Sequence, residues 1–140
     1  TVAEKPSFRD SFKSRRCLII ADGFYEWQGS GKEKRPYFIY LKGEKPFGLA
    51  GLYDRWVDPK GRIHTTCTIV TTQANDLLRP IHDRMPVIIQ EKDYERWLDP
   101  KARLVKDLLR PFDGALMASH EVSTLVNSPS HNSPECIRPV

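Results

Sequence analysis

Residues 47–71 read FGLAGLYDRWVDPKGRIHTTCTIVT. Phe47–Trp56 and Ile63–Thr71 are rich in aromatic and β-branched residues, and the turn-forming Asp58-Pro59-Lys60-Gly61 lies between them, so the stretch predicts two antiparallel strands. The same character extends upstream. Arg16–Ala21 and Pro36–Lys42 read as strands set apart by Gly29-Ser30-Gly31 and Lys42-Gly43-Glu44-Lys45-Pro46, which extends the pair into a meander. Downstream, Pro80, Pro86 and Pro100 punctuate the chain. They leave a short helix near Gln73–Leu78, a strand over Met85–Gln90, helices near Glu91–Leu98 and Ala102–Leu109, and a last strand over Leu116–Val122. At the other end, Phe8 and Phe12 stand four apart among Lys5, Arg9, Lys13, Arg15 and Arg16, the spacing of a short basic helix with one apolar edge. Strands come first and helices later, with no βαβ alternation. The predicted class is α+β, a curved antiparallel, barrel-like sheet with flanking helices.

The 140 residues are 39% hydrophobic and 29% charged, a composition that predicts one globular domain over 1–140 and excludes a disordered tail. Only the Pro- and Ser-rich end, 127–140, reads as a surface tail held at Cys136 and Ile137. The longest apolar runs fall far short of the ~18 residues a spanning helix needs, so a soluble, cytoplasmic protein is expected. Cys17, Cys67 and Cys136 form an odd, dispersed set that fits neither a disulfide framework nor a CxxC metal ribbon. Cys17 and Cys67, inside strands with aliphatic neighbours, read as inert buried thiols. The four histidines show no HxH or HExxH spacing, and no metal or cofactor is expected. A net charge of +4 favours an anionic partner such as nucleic acid.

Two segments carry candidate chemistry. Asp22-Gly23-Phe24-Tyr25-Glu26-Trp27 sets one carboxylate among three aromatic residues after a strand and an Asp-Gly turn. Aromatic neighbours desolvate a carboxyl group and disfavour its charged form, which lets Glu26 exchange protons near neutrality. The alternative is a strand in which Glu26 points outward while Phe24 or Tyr25 points inward. Ile81-His82-Asp83-Arg84-Met85-Pro86 places three ionisable residues between prolines. There His82 can move a proton and Arg84 can fork onto a phosphate, or Asp83 caps a turn and His82 packs at the surface. Thr71, Thr72 and Asn75 offer donors to a phosphate or simply cap a helix. Trp27, Trp56 and Trp97 include candidate platforms for an unpaired base, with core packing the alternative for at least two of them.

Arg15–Ile19, Ala21–Trp27, Thr71–Asn75 and Ile81–Val87, followed by Val122-Ser123, Val126-Asn127 and Pro134-Glu135-Cys136, together resemble the SOS-response-associated peptidase (SRAP) family, in order and over nearly the whole chain. The resemblance implies a barrel-like α+β domain that binds single-stranded DNA and joins covalently to abasic sites; a monomer that associates with the nucleoid when bound to DNA is expected. In that family a cysteine exposed at the mature N-terminus by self-processing attacks the abasic aldehyde. Its amine forms an imine, and its thiol closes a thiazolidine ring. By resemblance Glu26 is the acid/base and His82 assists opening of the sugar, so the two are expected to face one cleft. Thr71 and Arg84 are expected at DNA phosphates and Trp27 beside the unpaired bases.

The sequence also departs from the family pattern. The N-terminal cysteine and an Asn-Ala-Arg-type motif are absent, and Thr1 resembles the residue just after that motif. The implied domain is therefore N-terminally incomplete here, lacking roughly its first third, and this chain alone is expected to form no stable crosslink. Ile20 replaces a proline usual in the family, a harmless change at a strand end. The rival reading is a non-covalent single-stranded nucleic-acid binding module. A protease pairing a cysteine with His82 against external substrates has no support in the residues.

Overall fold

The structure, a computed structural model, describes residues 3–140. Thr1, and with it the resemblance drawn for that residue, lies outside the described residues. In chain order the elements are α1 (Pro6–Ser14), β1 (Arg16–Ala21), β2 (Phe24–Gln28), β3 (Arg35–Leu41), β4 (Phe47–Val57), β5 (Ile63–Ile69), β6 (Thr71–Gln73), β7 (Arg84–Pro86), β8 (Ile88–Ile89), α2 (Tyr94–Leu98) and β9 (Met117–Glu121), joined by turns and short 3-10 segments. Short helices and antiparallel ladders make this an α+β fold. The strands form separate sheets, β1-β4-β5 with β8 also on β4, β2-β3-β9, and the ribbon β6-β7. Among the described residues these sheets are open rather than closed into a barrel.

The chain divides into two units. The first contains residues up to Ile20, Phe47–Thr72 and Pro86–Phe112. Its centre is the amino-terminal half of β4, where Ala50 and Leu52 are buried with Phe12 of α1, Val70, Val87, Ile89, Trp97, Val105 and Leu108. Gly51 is required in this half of β4. A Cβ there would lie 2.7 Å from Cys17 Sγ and 3.1 Å from the Ile19 side chain. Phe12 meets Trp97 edge-on, with ring centroids 6.2 Å apart.

Arg16 ties α1 and β1 to the segment after α2. Its guanidinium, buried and 5.5 Å above the Trp97 ring, donates to the carbonyls of Phe12, Lys13, Trp97, Asp99 and Ala102 at 2.6–3.0 Å. Burial lowers its pKa, and Asp99 opposes that shift. The arginine stays charged because its reference value lies so far above neutrality.

This arrangement explains one departure from the sequence reading. Instead of a helix over Ala102–Leu109, only Lys106–Leu108 forms a 3-10 turn, and the Ala102 carbonyl accepts from Arg16. The proposed helix near Gln73–Leu78 is likewise a hydrogen-bonded turn. Asn75 Oδ1 takes the Leu78 amide at 3.0 Å, and Pro80 biases Arg79 away from helical geometry. Cys67 is exposed, because β5 pairs only with β4 and both faces of the strand remain open.

The second unit contains Ala21–Pro46, Gln73–Met85 and Asp113–Val140. Phe24 pairs with Ile39 and Gln28 with Arg35 across β2 and β3, while Tyr37 pairs with Glu121 and Leu41 with Met117 across β3 and β9. Ile39, Leu78, Met85, Met117 and Val122 form its fully buried interior. On one sheet face the rings of Tyr25, Phe38, Tyr40 and His120 touch in series. Residues 127–140 carry a 3-10 turn at Pro134–Ile137, a buried Cys136 and a bridge from Pro139 to Val122. The Val140 amide also donates to Glu121.

Replacing Arg16 by methionine leaves five carbonyls without their donor, at about 1–3 kcal/mol for each buried acceptor that water does not reach. Arg16→Met is expected to lower the unfolding free energy by about 3 kcal/mol in a urea titration. Arg16→Lys recovers only part of that loss, since an ammonium has three donors rather than a planar fork. A methionine variant with an unchanged midpoint would contradict this account of the unit.

Candidate functional site

β2 carries the first half of the site. Its entry needs glycine, because a Cβ on Gly23 would lie 2.2 Å from the Phe38 ring and 2.9 Å from the Ile39 carbonyl oxygen. Past that close approach, Tyr25 contacts Phe38 and Trp27 contacts Tyr25 on one face of the strand, at centroid separations of 5.6 and 6.3 Å. Strand alternation then turns Glu26 the other way. Trp27 Nε1 donates to Asn127 Oδ1 at 2.7 Å, which fixes the indole. Gly29 and Gly31, with φ of +93° and +61°, turn the chain from β2 into the segment that carries Lys32 and Lys34.

The loop 74–84 carries the second half. The Ala74 amide donates to the Asp83 carbonyl, and the Leu78 carbonyl accepts from both Ile81 and His82. Gln28 Nε2 reaches across from β2 to the Pro80 carbonyl at 2.8 Å. His82 Nδ1 lies 3.1 Å from the Arg84 amide and 3.4 Å from Asp83 Oδ1. When Nδ1 accepts that amide, the neutral ring carries its proton on Nε2.

Glu26 and His82 line one cavity of about 500 Å³. Trp27 and Asn127 form part of its wall, and Gly31, Lys32 and Lys34 complete it. Burial pushes the Glu26 carboxyl above the ordinary glutamate range. Electrostatic interaction with His82 and the backbone hydrogen bond at Trp27 pull it back, while Asp83 pushes it up again. A half-buried carboxyl with a raised pKa beside an imidazole can donate, accept and relay protons to a group held between them.

Of the other residues singled out in the sequence, Trp27 is on the cavity wall, whereas Arg84 is exposed at the start of β7 and does not line the cavity. Thr71 is exposed in the first unit, at the start of β6. Trp97 is in the core, and Trp56 is half exposed on the β4–β5 hairpin. In the sequence Lys32 and Lys34 belong to an ordinary turn between two strands. Their signal was two cations in the loop directly after the Glu26 strand. Asn127 stands in the family pattern as part of Val126-Asn127 but with no role at the site, since its partner Trp27 is 100 positions away. Among the described residues no three His, Cys, Asp or Glu side chains gather as a metal site, and no helix is long and apolar enough to cross a membrane.

The raised Glu26 pKa has a definite sign in stability. Between the unfolded carboxyl value of about 4.3 and the higher folded value, the folded state holds more protons, so stability falls as pH rises through that window. Glu26→Gln removes the dependence. Thermal unfolding should find the glutamine variant more stable than wild type at pH 7–8, with the gap closing as pH falls below about 4. A gap that does not vary with pH would contradict the desolvated carboxyl.

Comparison with known proteins agrees with the fold and with the motifs. The chain is 48% identical over 141 residues to the abasic site processing protein YoqW of Bacillus subtilis (strain 168), a match covering 98% of this chain and 63% of that protein. It is 37% identical over 164 residues to the abasic site processing protein HMCES of Gallus gallus, covering 100% of this chain and 48% of the relative. The chain thus spans less than two thirds of the length of these relatives. A crystal structure of a protein from Bacteroides thetaiotaomicron superposes with a TM-score of 0.90 at 37% identity, covering 100% of this chain and 63% of that one. A sequence profile described as SOS response associated peptidase (SRAP) matches residues 1–129. With the profile covering nearly the whole chain and relatives this similar, the chain belongs to the SRAP family.

Proposed function

We propose that the chain supplies the proton-transfer pocket and part of the strand-binding surface with which the complete protein processes abasic sites in single-stranded DNA. The observation that carries this reading is the shared cavity, in which a carboxyl of raised pKa and an imidazole face the same space beside an indole and two lysines. An abasic deoxyribose needs these groups. Its closed sugar must open to an aldehyde, which requires a proton delivered to the ring oxygen and one removed from the anomeric hydroxyl, the role assigned to His82. Attack by an amine on the aldehyde gives a carbinolamine. Loss of water from it requires an acid, and Glu26, whose burial favours the protonated carboxyl, gives its proton to the departing hydroxyl.

The covalent step is assigned to an N-terminal cysteine of the complete protein, exposed by self-processing. Its α-amine forms the imine, and its thiol adds to the imine carbon while the nitrogen takes up the proton, closing a thiazolidine without any redox change. Cys17, Cys67 and Cys136 are not that residue, since each has its nitrogen in a peptide bond. Trp27, fixed by Asn127, presents its indole beside the cavity for an unpaired base, and Lys32, Lys34 and Arg84 meet phosphates, while Thr71, in the first unit, is a phosphate contact by family resemblance alone. Wide exposure of the cations suits a flexible single strand whose contacts are largely electrostatic.

The test uses the complete gene product, single-stranded DNA with one abasic site, and a denaturing gel. Wild type is expected to give a denaturation-resistant adduct, with Glu26→Gln and His82→Ala each slowing its formation about 100-fold, the scale of general acid–base catalysis. Reversible binding should weaken with salt in proportion to the phosphates contacted, at about −0.7 in log–log slope per contact. Binding without any adduct would favour the non-covalent module, and unchanged rates in both variants would remove Glu26 and His82 from the chemistry.

A further inference from the structure

The tip of the β4–β5 hairpin presents an aromatic surface that the cavity does not use. Trp56 pairs with His64 across the ladder, and their rings stack with centroids 4.5 Å apart and planes 16° from parallel. His64 Nε2 is 2.9 Å from Asp58 Oδ2, and the same carboxylate accepts from Arg62 Nε and from the amides of Lys60 and Arg62. These bonds, led by that from His64, hold the Asp58 carboxyl down to about 2, so the clamp stays charged across the physiological range. With the imidazole fixed from below, the indole is fixed too. The imidazole covers one Trp56 face, and 52% of the residue remains exposed.

An immobilised aromatic plane of this kind stabilises nothing in the core, and its neighbours Val57 and Ile63 are 63% and 70% exposed. The surrounding charge narrows what fits. Asp54 pairs with Arg15 and Asp58 with Arg62, whereas among the described residues neither Arg55 nor Lys60 has a carboxylate partner. An acidic peptide would answer the cations but leave the plane bare, and an apolar protein surface would cover the plane but desolvate the cations. A flat base on a phosphate chain satisfies both.

We propose that this hairpin tip is a further nucleic-acid contact of the protein, where an unpaired base stacks on the open face of Trp56 while Arg55 and Lys60 meet the adjoining phosphates. The inference rests on the reading above that the protein acts on single-stranded DNA. It adds a binding surface in the first unit, formed by residues that have no part in proton transfer.

The test places 5-fluorotryptophan in the complete protein and follows the fluorine resonances of Trp27, Trp56 and Trp97 while unmodified oligothymidylate is added, with Trp56→Phe assigning the Trp56 signal. The Trp56 resonance is expected to move saturably with DNA. In fluorescence anisotropy Trp56→Ala should weaken oligonucleotide binding about tenfold, and Trp56→Phe should recover most of that loss, as base stacking on a smaller ring would. A Trp56 resonance that stays fixed while that of Trp27 moves overturns the platform and leaves the cavity reading intact. Absence of any binding overturns both. A Trp56 shift that follows protein concentration instead of DNA identifies the tip as a self-association surface and also overturns the proposal.

Discussion

The pairing of β2 with β3 sets everything that the second unit presents, because a strand's side chains alternate between faces and a slip of one residue exchanges them all. In the observed register Glu26 is opposite Tyr37 and Trp27 opposite Pro36. A slip would put the carboxyl among the rings and the indole on the other side. Local features hold the register at both ends. Gly23 admits the Phe38 ring into space that any Cβ would occupy, and the glycines at 29 and 31 adopt backbone angles that L-residues rarely take. Gln28 then extends the same register to the His82 loop through the Pro80 carbonyl.

The first unit is organised by a different kind of constraint. There a single guanidinium gathers carbonyls from two distant stretches of chain, and the Trp97 indole donates in turn to the Cys17 carbonyl at 2.8 Å. The hairpin tip repeats the principle on the surface, where the Asp58 carboxylate collects two side chains and two amides around one turn. In each case a charged group with several hydrogen bonds fixes an aromatic ring beside it. Trp97 so fixed lies in the core, whereas Trp56 so fixed faces solvent. Identical residue types thus take opposite roles according to where the sheet ends.

Much of this was legible in the sequence where the determinants are local. β1 has its predicted bounds, and β3 and β4 lie within one residue of theirs, because β-branched and aromatic runs flanked by turn residues determine a strand without outside help. The helices expected near Gln73–Leu78 and Ala102–Leu109 failed for the opposite reason. Their helical spacing is real, but the Ala102 carbonyl is taken by an arginine 86 positions away, and the Leu78 amide by the Asn75 side chain. Cys67 looked buried from its neighbours and is exposed because it sits on an edge strand, a property of topology that spacing does not encode. At the site, DGFYEW and HDRMP drew attention to Glu26 and His82 through their residue types. The cavity's lysines were hidden inside what looked like an ordinary turn, and Asn127, quoted only as part of the family pattern, gained a place at the site once the fold brought it to Trp27.

The central claim is that an abasic residue is held between Glu26 and His82. The most direct measurement is a crystal structure of the complete protein bound to single-stranded DNA carrying a tetrahydrofuran abasic analogue, which cannot open and so captures the complex before chemistry. The account predicts the furan ring inside the cavity, within hydrogen-bonding distance of the Glu26 carboxyl, with a neighbouring base against Trp27. A bound strand that leaves this cavity empty, with its abasic residue elsewhere on the protein, would contradict it.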